Sequence, residues 1–155
     1  MNNTYVRALE ECDKEQVLKL DELSRSCLAE YLDCNNYVWG IFNSNNELLG
    51  YCTLGGADDS TLGYSFYSYW TKDSLVLCDV FIKENNRRKG LAIEMIKEVL
   101  KNANPDRESV FLTIVTDKLR RLYEKVGFKY IKDGCMVWVD DKLKHTIDTL
   151  MYLEN

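Results

Sequence analysis

Three observations predict an α/β fold. Short apolar runs of strand length recur along the chain, three stretches carry apolar residues at helical spacing, and the C-terminal half alternates strand, helix, strand, helix, strand. With 155 residues and 46% hydrophobic content the chain fills one core, so residues 1–155 read as a single domain. No internal repeat or linker interrupts it.

Thr4 to Leu9 reads as a first strand. Asp13 and Gln16 have capping-box spacing, and Val17, Leu20, Ser24, Cys27, Leu28 and Tyr31 follow helical spacing with a break near Leu23. Runs from Tyr37 to Phe42 and from Leu48 to Leu54 flank the polar Asn43–Asn46 turn as a β-hairpin, ended by Gly55-Gly56. Residues 56–73 fit neither period. Leu75 to Ile82 is an apolar strand interrupted by Asp79, and Leu91, Ala92, Met95, Ile96 and Val99 mark a helix face that is spent by Asn104-Pro105. Val110 to Val115 is a strand, and Leu119, Leu122, Tyr123 and Val126 form a second helical stripe closed by Gly127 as a left-handed cap. Strands near Phe128–Ile131 and Met136–Val139 follow, and residues 141–155 form a C-terminal tail with the pattern of a short amphipathic helix.

Composition removes several classes of function. The formal charge of −5 lacks the basic footprint of a nucleic-acid binder and suits a cationic substrate. A single histidine, His145, excludes multi-histidine metal sites, so no metal is expected. It also leaves any Ser-His-Asp triad resting on one tail residue, which reads as surface. The six cysteines at 12, 27, 34, 52, 78 and 135 include no Cys-x-x-Cys pair and read as reduced, half-buried apolar residues. Without a signal peptide or an apolar run of membrane-spanning length, a cytoplasmic protein is expected, with neither membrane nor nucleic acid among its partners.

The chemistry concentrates where the Leu75–Ile82 strand delivers the chain to Arg87-Arg88-Lys89-Gly90-Leu91-Ala92 at a helix start. The first N–H groups of a helix have no intrahelical partner, and Gly90 lets an anion approach the backbone with no Cβ in the way. Three adjacent cations oppose the helix dipole, so they serve either a solvated face or a phosphate; the residues alone leave both open. Gly-x-x-x-x-Gly-Lys-Ser/Thr and Gly-x-Gly-x-x-Gly are both absent.

Arg87 to Ala92 resembles the Arg/Gln-x-x-Gly-x-Gly/Ala motif of the GNAT superfamily of acyl-CoA-dependent N-acyltransferases. Leu122-Tyr123-Glu124-Lys125-Val126-Gly127-Phe128 is similar to that family's Leu-Tyr-x-x-x-Gly-Phe segment, and the element order agrees from Thr4 to about Val139. The resemblance implies a mixed, mainly antiparallel twisted sheet flanked by helices, with CoA entering a V-shaped opening between the Leu75–Ile82 and Val110–Val115 strands.

It further implies that the amides of Arg87, Arg88, Lys89, Gly90, Leu91 and Ala92 cradle the CoA pyrophosphate. Backbone groups of Val80, Phe81 and Ile82 would pair with the pantetheine arm and polarise the thioester carbonyl. Tyr123, near a helix start, would protonate the departing thiolate; packing on the Leu119, Leu122, Val126 face is its other reading. Two positions depart from the family pattern: Glu84 replaces a common proline, and Thr116 replaces an asparagine that contacts CoA, leaving a shorter contact or a helix cap.

No motif fixes the general base. Asp79, a carboxylate inside an apolar strand, is the preferred candidate, with a solvated or salt-bridged aspartate as the alternative. The expected reaction is direct transfer from acetyl-CoA to a primary amine, without an acyl-enzyme. A non-catalytic acyl-CoA-binding regulatory domain and an unrelated phosphate-ligand protein are the other classes considered. Asp58, Asp59 and the Tyr64–Trp70 aromatics suit a cationic acceptor, or else core or homodimer contacts.

Overall fold

A computed structural model describes residues 3–20, 38–56, 74–114, 116–131 and 134–139. Its strands are β1 (Thr4–Ala8), β2 (Val38–Asn43), β3 (Leu48–Gly56), β4 (Leu75–Ile82), β5 (Val110–Thr113), β6 (Lys129–Tyr130) and β7 (Cys135–Trp138). The helices are α1 (Lys14–Leu20), α2 (Leu91–Asn102) and α3 (Asp117–Val126). The fold is mixed α/β with a seven-stranded, mainly antiparallel sheet, as expected. The chain divides into two compact units, Met1–Leu54 with Cys78–Ala103, and Gly55–Leu77 with Asn104–Asn155.

In the first unit β1 pairs antiparallel with β2, and β2 with β3. The β2–β3 register passes from Ile41↔Gly50 to Phe42↔Leu48, leaving Leu49 as the extra residue of a bulge. Its carbonyl accepts the Lys83 N–H at 2.8 Å, so the bulged residue ties β3 to the end of β4. Leu9, Val17, Val38, Phe42, Leu48 and Tyr51 form the core here. Helix α2 buries Leu91, Met95, Ile96, Val99 and Leu100, a stripe at helical spacing, and packs on β1 and β2.

The start of α1 differs from the expected Asp13/Gln16 box. A 3-10 turn, Glu11–Asp13, precedes the helix, and Asp13 is its third residue, whose carboxylate accepts the Glu10 N–H at 2.7 Å. The same carboxylate takes a bidentate bond from Arg7 at 2.7 and 2.8 Å. An arginine two-pronged partner outweighs a local cap as a reason to bury a carboxylate. Gln16 instead reaches the hairpin: its carbonyl accepts the Leu48 N–H at 2.8 Å and its amide donates to the Asn46 carbonyl at 3.2 Å. Strand β3 runs two residues beyond Leu54 and ends at Gly56, so the Gly55-Gly56 pair forms its last two residues.

In the second unit β4 and β5 are parallel through Leu75↔Val110 and Val76↔Phe111, and β5, β7 and β6 are antiparallel neighbours. Helix α3 buries Tyr123 and Val126 and ends on Gly127, whose φ of 119° is the left-handed cap expected there. Of the described cysteines, Cys52 and Cys135 are buried and Cys12 and Cys78 exposed, all as thiols and not disulfides. No helix among the described residues is long and apolar enough to cross a membrane. The second helical stretch toward Tyr31, the aromatic segment with Asp58 and Asp59, Cys27, Cys34, His145 and the C-terminal helix lie outside the described residues.

The Arg7 guanidinium holds the buried Asp13 carboxyl below the ordinary aspartate range, chiefly through their hydrogen bonds. A carboxyl lowered on folding contributes stability above its unfolded pKa and loses it as pH falls through the folded one. Asp13→Asn is therefore expected to cost roughly 1–2 kcal/mol at neutral pH, the range for a charged hydrogen bond to a half-exposed guanidinium. Urea unfolding at neutral and acidic pH checks this: the gap to the wild type narrows once pH falls below the ordinary aspartate range, whereas a gap independent of pH contradicts the assignment.

Candidate active site

The first unit holds the Asp79 and Arg87–Ala92 groups on one continuous path of chain. Asp79 sits inside β4 with φ of 52°, a left-handed conformation in the middle of a strand. Aspartate is one of the few residues that tolerates this region, and a single such residue bends a strand and breaks its alternation. The burial pattern changes there: Leu77 is buried, Cys78 and Asp79 are exposed, and Ile82 is buried again. The buried Thr53 of β3 faces the kink, and its hydroxyl donates to the Cys78 carbonyl at 3.2 Å and lies 3.5 Å from the Asp79 carboxylate.

Beyond the kink, β4 is drawn tightly onto β3. A Cβ on Gly50 would lie 2.4 Å from the Phe81 carbonyl oxygen, so only glycine admits this approach. Phe81 stacks on Tyr51 with ring centroids 5.4 Å apart. Thr53 meeting Cys78 while Leu49 meets Lys83 makes the two strands antiparallel.

A 3-10 turn, Glu84–Asn86, then leads to the basic run. Arg87 is extended, Arg88 left-handed at φ of 66°, and Gly90 left-handed at φ of 77° as the residue before α2. Left-handed Gly90 followed by right-handed Leu91 alternates the backbone in the manner that gathers consecutive N–H groups around an anion. Among the described residues no side chain caps the start of α2, and a Cβ on Gly90 would meet no atom within 4 Å. The helix start therefore offers N–H donors beside an open backbone.

Two cysteines in this unit are held as neutral thiols. Burial pushes Cys52 up to about 12, and partial burial followed by the Asp79 charge pushes Cys78 up. Neither has the thiolate character of a nucleophile.

In the second unit Tyr123 lies in the second half of α3 and not near its start, buried edge-to-face against Phe128 at 5.8 Å. Its carbonyl accepts the Gly127 and Phe128 N–H groups, so the turn that ends the helix also fixes this residue. Thr116 occupies the residue before α3, as a cap would, but its exposed hydroxyl makes no capping bond; its carbonyl receives the Leu119 N–H instead. The sequence had not singled out Thr53, Gly50 or the inward turn of the Arg87 side chain described below.

A family profile described as an acetyltransferase (GNAT) domain matches residues 8–137. The chain belongs to the GNAT acetyltransferase family. No curated protein matches it in sequence. Among solved structures it is similar to a GNAT-family acetyltransferase from Streptococcus agalactiae, with TM-score 0.69, 13% identity, and 89% of this chain and 96% of that one covered. It is also similar to a GNAT-family N-acetyltransferase from Escherichia coli in complex with CoA, with TM-score 0.65, 12% identity and coverage of 90% and 82%. A third is a spermidine N-acetyltransferase chimera from Vibrio cholerae and hSSAT, with TM-score 0.62, 18% identity and coverage of 90% and 97%. At these identities the likeness is one of fold.

The geometry of Arg88 to Ala92 fits a pyrophosphate, since the uncapped helix start and the empty space over Gly90 are what an anion-binding loop requires. Gly90→Val places a β-branched residue at φ of 77°, where such a side chain is strained, and its branches occupy that space. It is expected to weaken CoA binding by about tenfold or more, against at most a few-fold for Lys89→Ala, which removes one surface charge. Calorimetric titration of both variants decides; unchanged affinity in Gly90→Val contradicts the placement.

Proposed function

We propose that this domain transfers an acetyl group from acetyl-CoA directly to a primary amine of a small cationic acceptor. The observation that carries the reading is the kinked strand running into an uncapped helix start: Asp79 left-handed inside β4, then Arg88 and Gly90 left-handed before α2. Such a path supplies two things that a thioester carrying a pyrophosphate needs. Amides at the helix start take the diphosphate, and backbone groups of the strand beyond the kink take the rest of the coenzyme.

In this reading the backbone of Val80, Phe81 and Ile82 lies along the pantetheine arm, and an amide there stabilises the oxyanion as the amine attacks the thioester carbon. The carbon–sulfur bond breaks, and the departing thiolate takes a proton from the Tyr123 phenol. The amine attacks as its free base, and the proton that its nitrogen sheds from the tetrahedral intermediate goes to Asp79, directly or through water. The upward shift of the Cys52 and Cys78 thiols disfavours either of them as an acyl-carrying nucleophile.

The acceptor class rests on charge. A net charge of −5 and an exposed carboxylate at the kink favour a cation over an anion. The spermidine N-acetyltransferase chimera among the structures of similar fold supports an acceptor of that kind. Asp58, Asp59 and the Tyr64–Trp70 aromatics are residue types that suit such a cation, and the compartment proposed is the cytoplasm.

Thiol release with acetyl-CoA and a panel of amines tests the proposal. Turnover is expected with polyamines or other small cations, falling with added salt. Acetyl-CoA binding without turnover of any amine would indicate a binding role instead. Tyr123→Phe is expected to keep the fold and CoA affinity while slowing turnover by about 100-fold, the scale of one positioned proton donor. The wild-type rate is expected to rise with pH as the amine loses its proton, and Asp79→Asn to depress that profile. An unaltered profile removes Asp79 and leaves a water-mediated route.

A further inference from the structure

We propose that Arg87, the first of the three adjacent cations, acts through its side chain as a positioning residue and not as a phosphate ligand. The inference rests on the acetyl-CoA reading above and assigns a separate task within that site. The Arg87 Nε donates to the Ile82 carbonyl at 2.7 Å, and the guanidinium lies over the Phe81 ring at 5.3 Å from its centroid. Both contacts point back to the end of β4, away from the amides at the start of α2.

The peptide unit between Ile82 and Lys83 is thereby held at both ends. Its carbonyl accepts from Arg87, and its N–H donates to Leu49 of β3 at 2.8 Å. Phe81, pressed by the guanidinium, is itself stacked on the core residue Tyr51. The five-residue excursion from Ile82 to Arg87 is thus closed by a side chain. What it fixes is the distance and direction from the strand groups of Val80–Ile82 to the Arg88–Ala92 amides.

That relation matters to a ligand gripped at two places. When one part of a molecule is bound, the other meets its own subsite at an effective concentration set by how rigidly the two are connected. A loosened excursion leaves each subsite intact and lowers that concentration. Lysine cannot substitute for arginine here, because the planar guanidinium provides a directed Nε–H and a face to lay on the ring, whereas an ammonium is a point charge.

The test compares acetyl-CoA with 3′-phosphoadenosine 5′-diphosphate, which carries the pyrophosphate and lacks pantetheine. Calorimetric affinities are measured for the wild type, Arg87→Lys and Arg87→Ala at two salt concentrations, with melting temperatures recorded alongside. The expected result is a loss of about tenfold in acetyl-CoA affinity in both variants, with the diphosphate fragment bound within about twofold of wild type. The salt dependence of acetyl-CoA binding is expected to stay at its wild-type slope. A general loss of structure would weaken both ligands in Arg87→Ala and spare the milder Arg87→Lys, and would overturn the inference. So would Arg87→Lys matching the wild type while Arg87→Ala loses both ligands equally with a shallower salt dependence, the behaviour of a phosphate cation. A wild type that binds neither ligand would refute the acetyl-CoA reading itself, and this inference with it.

Discussion

The end of β4 is pressed onto β3 at Gly50, where backbone meets backbone too closely for any side chain. Much of the first unit follows from that approach. It holds the Phe81 carbonyl against β3, seats the Phe81 ring on Tyr51 and lines Lys83 up with the bulged Leu49. Four residues before Ile82, the strand runs through Cys78 under the Thr53 hydroxyl and then kinks at Asp79. The strand between kink and clamp, Val80 to Ile82, is therefore fixed at both ends. A strand held at both ends keeps its backbone groups in one orientation, which a loose one would not.

The same economy of means governs the loop that follows. Left-handed backbone at a non-glycine residue costs about 1–2 kcal/mol, yet the chain places Arg88 there as well as Asp79. Such strain persists only where surrounding contacts fix it. The contacts here are the Lys83–Leu49 and Arg87–Ile82 hydrogen bonds, which lie on either side of the 3-10 turn. Burial of the α2 stripe from Leu91 to Leu100 then holds the helix start in place while leaving its first N–H groups without a side-chain cap.

Much of this was legible in the residues. The bounds of β4 follow from an apolar run broken only at Asp79, the face of α2 from its spacing, and the end of α3 from Gly127, because each is a local pattern with a local cause. Asp79 was visible as an interruption, although its left-handed backbone was not, since a kink depends on the neighbouring strand. Asp13 was read as a cap because a cap is a local partner, whereas Arg7 claims its carboxylate across a turn. Gly50 and Thr53 gave no signal, as their importance lies in residues thirty positions or so along the chain that only the fold brings near. Arg87 was grouped with Arg88 and Lys89 by charge, and charge carries no information about where a long side chain points.

The claim on which the account rests is that one coenzyme engages both the kinked end of β4 and the start of α2. Amide NMR of the isotopically labelled protein during titration with CoA measures this most directly. The largest shifts are expected at Val80, Phe81 and Ile82 together with Arg88 to Ala92. Saturable CoA binding that leaves both groups of amides unmoved, with the changes concentrated elsewhere in the chain, would contradict it.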